Sequence, residues 1–188
     1  MTVTKHLKTK ICLVGEKAVG KTSLIRRYVL NMFDDHYITT IGTKVSKKEV
    51  RVFNPGKDLL VDVDMTIWDI MGEKGFRELL KDAYFYGANG ILAVCDMTRK
   101  RTLEDLDDWI DGVESVVGKV PVLITMNKAD LLAEAQFGDS EVEQFAKAYE
   151  CEYLRTSAKT GDGVEEAFRR LGAVVADRQL SKGFGPIP

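Results

Sequence analysis

Apolar residues fall into short runs and helical spacings that alternate along the chain. Ile11-Cys12-Leu13-Val14 marks a short buried strand from Lys10 to Val14, and Leu24, Ile25, Tyr28 and Val29 then recur at helical spacing over Lys21 to Leu30. Asn31 to Gly42 has no period and reads as a loop. Thr43 to Phe53 and Asp58 to Trp68 are rich in β-branched residues, with Asn54-Pro55-Gly56-Lys57 between them, which predicts an antiparallel hairpin. In its second strand Val61, Val63, Met65 and Ile67 alternate with Asp62, Asp64 and Thr66.

Strand and helix then alternate. Gly90 to Cys95 reads as a buried strand, followed by a helix whose face carries Leu103, Leu106, Trp109, Ile110, Val113 and Val117. Val120 to Met126 is the next strand, Val142, Phe145, Ala146 and Tyr149 mark a helix, and Tyr153-Leu154 is a short strand. Val164 to Arg178 closes the pattern as a helix with Phe168, Leu171 and Val175 on one face. Such a rhythm predicts an α/β fold: a six-stranded, mostly parallel sheet with one antiparallel strand and helices on both faces. The expected domain covers 8–178, and 179–188, with two prolines and two glycines, reads as a flexible tail.

Composition narrows the class. With 188 residues, 45% of them hydrophobic, the chain is one domain with a sizeable core. A net charge of −2 offers no broad basic field, so nucleic acid is not an expected partner. Cys12, Cys95 and Cys151 lie in or beside strand-like runs without zinc spacing, as free thiols in a reducing compartment would. A polar start without a signal-peptide core, Thr at position 2 and no membrane-length run make the cytoplasm the expected location.

Chemistry enters at Gly15-Glu16-Lys17-Ala18-Val19-Gly20-Lys21-Thr22, a GxxxxGK[ST] loop between a strand and a helix. A helix N-terminus behind a glycine loop is an anion site, because its backbone N–H groups have no intrahelical partners. Lys21 supplies charge to the outer phosphates, and the Thr22 hydroxyl suits Mg²⁺. In an open α/β sheet the ligand sits at the carboxyl ends of the strands. There Asp69-Ile70-Met71-Gly72 follows the hairpin, a carboxylate on the Mg²⁺ side and a glycine whose N–H can meet a terminal phosphate. Asn127-Lys128-Ala129-Asp130 and Ser157-Ala158-Lys159 follow later strands. Asp130 can accept two N–H groups from a guanine edge, Asn127 can add a contact, the Lys128 stem can cover the base, and the 157–159 loop can offer a backbone N–H. Each motif alone also fits an ordinary polar loop.

Taken together in this order, these four motifs resemble those of the Ras-superfamily small GTPases. Tyr37-Ile38-Thr39-Thr40-Ile41-Gly42, Ile67-Trp68-Asp69 and Tyr86-Gly87-Ala88-Asn89-Gly90-Ile91 are similar to segments of the Rab branch. The resemblance implies a G domain binding GTP or GDP with Mg²⁺ held by Thr22, Thr40 and Asp69. It implies that Gly15 to Thr22, with Ser23, Phe33, Tyr37, Thr40, Gly72, Asn127, Lys128, Asp130, Ser157, Ala158 and Lys159, line the nucleotide. By the same resemblance Phe33 would stack near the guanine, and Thr40 and Gly72 would sense the γ-phosphate in two switch loops, about 32–42 and 70–80. Protein effectors and regulators would read those loops, and the protein would act as a monomer.

Departures from the family pattern gather at the chemistry. Glu73 stands where the family usually has a glutamine, and Lys17 where the phosphate loop has a small residue; Ile70-Met71 and Lys74-Gly75 also differ. The expected catalytic set is therefore Lys21, Thr40, Gly72, Glu73 and Lys17, with Lys17 the cation beside Glu73 and a low intrinsic rate. The alternative is a GTP-binding interaction module with little or no hydrolysis. No cysteine follows Cys151, so the prenyl anchor usual in the Rab branch is not expected. Lys44, Lys47, Lys48 and Arg51 read as guards of an edge strand, Arg99-Lys100-Arg101 as a solvated loop, and Trp109 as core. His6 and His36 are given no role.

Overall fold

The computed structural model describes residues 4–36, 39–54 and 58–182, with the side chains at 4, 74 and 76–79 excluded. Tyr37, most of the turn at 54–57 and 183–188 lie outside the described residues. A six-stranded sheet runs β2-β3-β1-β4-β5-β6, with β1 Thr4–Val14, β2 Thr43–Asn54, β3 Leu59–Ile70, β4 Gly90–Asp96, β5 Val122–Asn127 and β6 Glu152–Arg155. Only the β2–β3 pairing is antiparallel, so the hairpin and the mostly parallel sheet are as expected.

Alternation along the strands divides the core. Ile11, Leu13, Val61, Val63, Met65 and Ile67 face α1 (Lys21–Leu30) and α6 (Val164–Lys182), where Tyr28 stacks on Phe168 at 4.1 Å. On the other face Cys12, Val14, Ile91, Ala93 and Ile124 meet Phe85, Trp109, Ile110 and Val142. These come from α2 (Lys74–Phe85), α4 (Leu106–Val117) and α5 (Asp139–Ala148). Burial pushes the thiol of Cys12 up to about 12 and that of Cys151 up to about 11, and all three cysteines are unpaired with one another.

Register places the site. Leu13 lies opposite Asp69, Val14 opposite Ala93, Asp96 opposite Asn127 and Met126 opposite Arg155, so the loops after β1, β3, β4, β5 and β6 open on one edge. That edge is where α/β sheets bind ligands.

Several expectations change. β1 begins at Thr4, six residues before Lys10, because His6, Lys8 and Lys10 alternate with Leu7, Thr9 and Ile11 and pair along β3. The second switch region is a loop only to Glu73; from Lys74 it is α2. Phe76, Leu79, Leu80 and Ala83 recur at helical spacing along the sequence, immediately beyond the loop motif. The single helix expected across Leu103 to Val117 is two pieces, α3 (Arg101–Glu104) and α4, separated at Asp105. A 3₁₀ turn over Ala129–Glu134 follows β5, and α6 runs to Lys182. Among the described residues no helix is long and apolar enough to cross a membrane.

Candidate functional site

Strand β1 ends at Val14 and the chain returns as α1 at Lys21, with Gly20 at φ 101 capping the helix. The first-turn N–H groups of α1 have no intrahelical partners and lie at the loop that Gly20 closes. Above them lies a cavity of about 390 Å³, within the range of nucleotide-sized sites. Its lining runs from Lys21 and Thr22 past Thr40 and Gly72 to Asp130 and Lys159.

Lys21 is 7% exposed, and its ammonium donates to the carbonyls of Gly15 at 2.6 Å and Glu16 at 2.9 Å. Burial pushes it down to about 8, while the carboxylates of Asp69 and Glu16 act to hold its proton. A phosphate arriving here would favour the charged form further.

Beside it three oxygen-bearing side chains converge. Thr22 Oγ1 donates to Asp69 Oδ2 at 2.5 Å and lies 2.9 Å from Thr40 Oγ1. Asp69 is 2% exposed, and its Oδ1 is buried without a hydrogen-bond partner. Burial raises its carboxyl, opposed by the Thr22 hydrogen bond. A buried acceptor left over beside two hydroxyls fits a hard divalent cation that takes its remaining ligands from phosphate and water. Among the described residues no group of three or more His, Cys, Asp or Glu side chains is placed to hold a metal ion.

Gly72 explains its own identity. A Cβ there would lie 2.6 Å from the Lys17 nitrogen and 2.8 Å from the Glu16 carbonyl oxygen, so only glycine lets this strand-end loop rest on the phosphate loop.

At the end of β5 Asn127, 1% exposed, is a brace. Its Nδ2 donates to Val19 O at 2.9 Å, and its Oδ1 accepts from Thr156 Oγ1 at 3.2 Å and from the Ala158 N–H at 3.3 Å. It thus joins the phosphate loop, β5 and the 157–159 loop. Asp130 accepts from Ser157 Oγ at 2.6 Å and lines the cavity, with its second oxygen available to a ligand edge. Phe33 lines the cavity, half-buried against the core on the α1 and α6 side of the sheet.

A family model of the Ras family matches residues 10–177. The chain belongs to the Ras family. Among curated relatives it is 30% identical over 174 residues to "Ras-related protein Rab-1A" of Dictyostelium discoideum, covering 92% of this chain and 83% of that protein. It is 33% identical over 163 residues to "Ras-related protein Rab-21" of Bos taurus, with 86% and 70% covered, and 32% identical to "Ras-related protein Rab-13" of Rattus norvegicus, with 86% and 77% covered. It is a Rab-like small GTPase with a Ras-type G domain.

Within this Ras-family frame, the two departures in charge lie side by side: Lys17 Nζ is 3.7 Å from Glu73 Oε1, both side chains about half exposed at 51% and 41%. Both line the cavity, beside the GxxxxGK[ST] loop and Gly72. Other contacts were not legible in the sequence. Arg27, on α1, donates from Nε to Ala158 O at 2.8 Å and from Nη2 to Lys159 O at 2.5 Å, pinning the base-side loop. The Trp109 indole, in the core as expected, donates to Glu16 Oε1 at 3.1 Å.

Of 99–101, read as a solvated loop, Lys100 and Arg101 are exposed, with Arg101 opening α3, but Arg99 is engaged with its neighbours. Its Nε donates to Asp96 Oδ2 at 3.0 Å and its Nη2 to Lys17 O at 2.9 Å. Lys128 Nζ reaches the same Asp96 oxygen at 2.6 Å. Burial pushes the Asp96 carboxyl up, but hydrogen bonds from Lys128 and Thr98 outweigh it and hold it below the usual range. One signal for Asp96 was present: it is a carboxylate at a strand end, as Asp69 is. Arg27 had none, since its partners lie more than a hundred residues away.

Proposed function

We propose that this protein is a GTP/GDP switch that hydrolyses GTP to GDP and phosphate, and whose segments at about 32–42 and 70–80 present a different surface to protein partners in the two states. The observation that carries the proposal is the junction at Thr22, whose hydroxyl meets Thr40 of the first switch loop at 2.9 Å and donates to Asp69, at the end of β3 before the second, at 2.5 Å. A γ-phosphate bound there would strengthen the hold on Thr40 and Gly72, and its loss would weaken it.

The reaction itself is in-line attack by water on the γ-phosphorus, with the bond to the bridging oxygen breaking as GDP leaves. Mg²⁺, when bound, would neutralise charge on the β- and γ-phosphate oxygens. Lys21 and the α1 N-terminus hold the phosphates. Gly72 brings its backbone against the loop. Glu73 opposes charge at the γ-phosphate, and Lys17 offsets it. Three free cysteines, two of them buried, fit a reducing compartment such as the cytoplasm.

Multiple-turnover phosphate release, measured alone and with cell extract, tests this reading. Turnover in either condition is the expected result. Absence of release in both, with GTP still bound, would favour a GTP-binding interaction module. That second reading draws on Glu73, whose carboxylate lines the phosphate end of the cavity.

A separate prediction follows from the unpartnered Asp69 oxygen. Chelating Mg²⁺ is expected to speed GDP dissociation from the wild type about tenfold or more, a loss of ~1.4 kcal/mol or more. In Asp69→Ala, chelation should add little. Fluorescent-GDP release with and without chelator reads both; equal acceleration in the two proteins would contradict the role of Asp69.

A further inference from the structure

We propose that Arg99, anchored on the buried Asp96 carboxylate, is a positioning residue for Lys17, and that through Lys17 it sets the preference of the site for guanosine triphosphate over diphosphate. The proposal rests on the switch reading above.

The geometry is a continuous polar chain. Asp96 is 0% exposed and accepts from the Thr98 N–H at 2.9 Å, Thr98 Oγ1 at 2.7 Å, Arg99 Nε at 3.0 Å and Lys128 Nζ at 2.6 Å. A carboxylate so enclosed is a fixed point. Arg99 spans from it to the Lys17 carbonyl with one planar guanidinium, so the gap between the end of β4 and the phosphate loop is set by a rigid group. The Lys17 ammonium lies 3.7 Å from Glu73. Lys128, in the guanine motif, is therefore linked through Asp96, Arg99 and Lys17 to Glu73, beside the phosphate end.

A second observation shows why the loop needs this hold. Ala18, next after Lys17, has φ 62, a left-handed conformation that disfavours any residue with a Cβ. The peptide leading into that strained residue is the one whose carbonyl Arg99 grips. Release of the carbonyl frees the Lys17–Ala18 peptide to turn, and the ammonium leaves its place.

Glu73 and a γ-phosphate compete for the same cation. A diphosphate leaves Lys17 paired with Glu73 alone, whereas a triphosphate brings a second anionic group to the same ammonium. Lys17 held in place thus adds affinity for the triphosphate alone, and Arg99 acts only through it.

The test is a double-mutant cycle on the ratio of affinities for a non-hydrolysable GTP analogue and GDP. Lys17→Ala is expected to lower the ratio about tenfold and Arg99→Ala about threefold or more, within the range of modest allosteric coupling. The double variant should match Lys17→Ala. Arg99→Lys should melt like the wild type yet show the lowered ratio, because one ammonium cannot span both acceptors. An unchanged ratio in Arg99→Ala, or the same loss in the Lys17→Ala background, would overturn the proposal. A wild type that binds both nucleotides keeps the switch reading standing in either case; one that binds neither overturns that reading and the proposal with it.

Discussion

Replacing Lys17 by alanine is expected to slow single-turnover GTP hydrolysis about tenfold or more, an increase of ~1.4 kcal/mol or more in the barrier. The effect follows from the charges at the phosphate end. Two unit charges about 4 Å apart interact by about 4 kcal/mol at an effective dielectric near 20. Exposed pairs retain only about 0.2–1 kcal/mol after screening and side-chain entropy. With Lys17 and Glu73 each about half exposed, screening is partial, and binding of a nucleotide reduces it by excluding water. Removing Lys17 leaves Glu73 facing the γ-phosphate uncompensated. Glu73→Gln removes the opposing charge and is expected to raise the rate above wild type by a similar factor. Rapid-quench measurement of phosphate release in the three proteins checks both directions. If Lys17→Ala hydrolyses GTP as fast as the wild type, the charge-offset role is wrong.

The second large effect is expected at Asn127. Its alanine variant should lose guanine-nucleotide affinity by roughly two orders of magnitude, about 2.8 kcal/mol, and should also melt at a lower temperature. Three partners lose their contact at once: Val19 O, Thr156 Oγ1 and the Ala158 N–H. A buried polar group left unsatisfied costs about 1–3 kcal/mol. The same three bonds join the phosphate loop to both base-side loops, so the loss falls on both halves of the cavity. Asn127→Asp keeps the acceptor but sets a carboxylate against the Val19 carbonyl, and is expected to fare no better. Titration with fluorescent GDP and thermal melting report the two parts. A variant that melts low but binds normally would show that Asn127 braces the fold without shaping the site.

Much of this was legible from residue types alone. The strand–loop–helix at Lys10 to Leu30, the hairpin and the alternation of strands with helices followed from apolar spacing, because the strands pack their apolar residues against helices on one or both faces of the sheet. Asp69, Asn127 and Ser157 were legible as strand-end residues, since a parallel sheet delivers all such ends to one edge. Arg27 and Arg99 were not. Their side chains bridge segments that the sequence holds far apart, and an arginine on a helix or in a loop looks solvated until its acceptors are placed. α2 was missed for another reason: its start coincides with a loop motif, and the helical spacing begins immediately beyond Glu73. The strand extension at Thr4 escaped because its outward residues are charged, so the alternation is half polar.

The most direct measurement is to denature the purified protein, identify any nucleotide released, and then follow GTP turnover with Mg²⁺ present. The expected result is a guanine nucleotide close to one per chain, followed by Mg²⁺-dependent conversion of GTP to GDP. Release of an adenine nucleotide, or protein that takes up neither GDP nor GTP when they are supplied, would contradict the account.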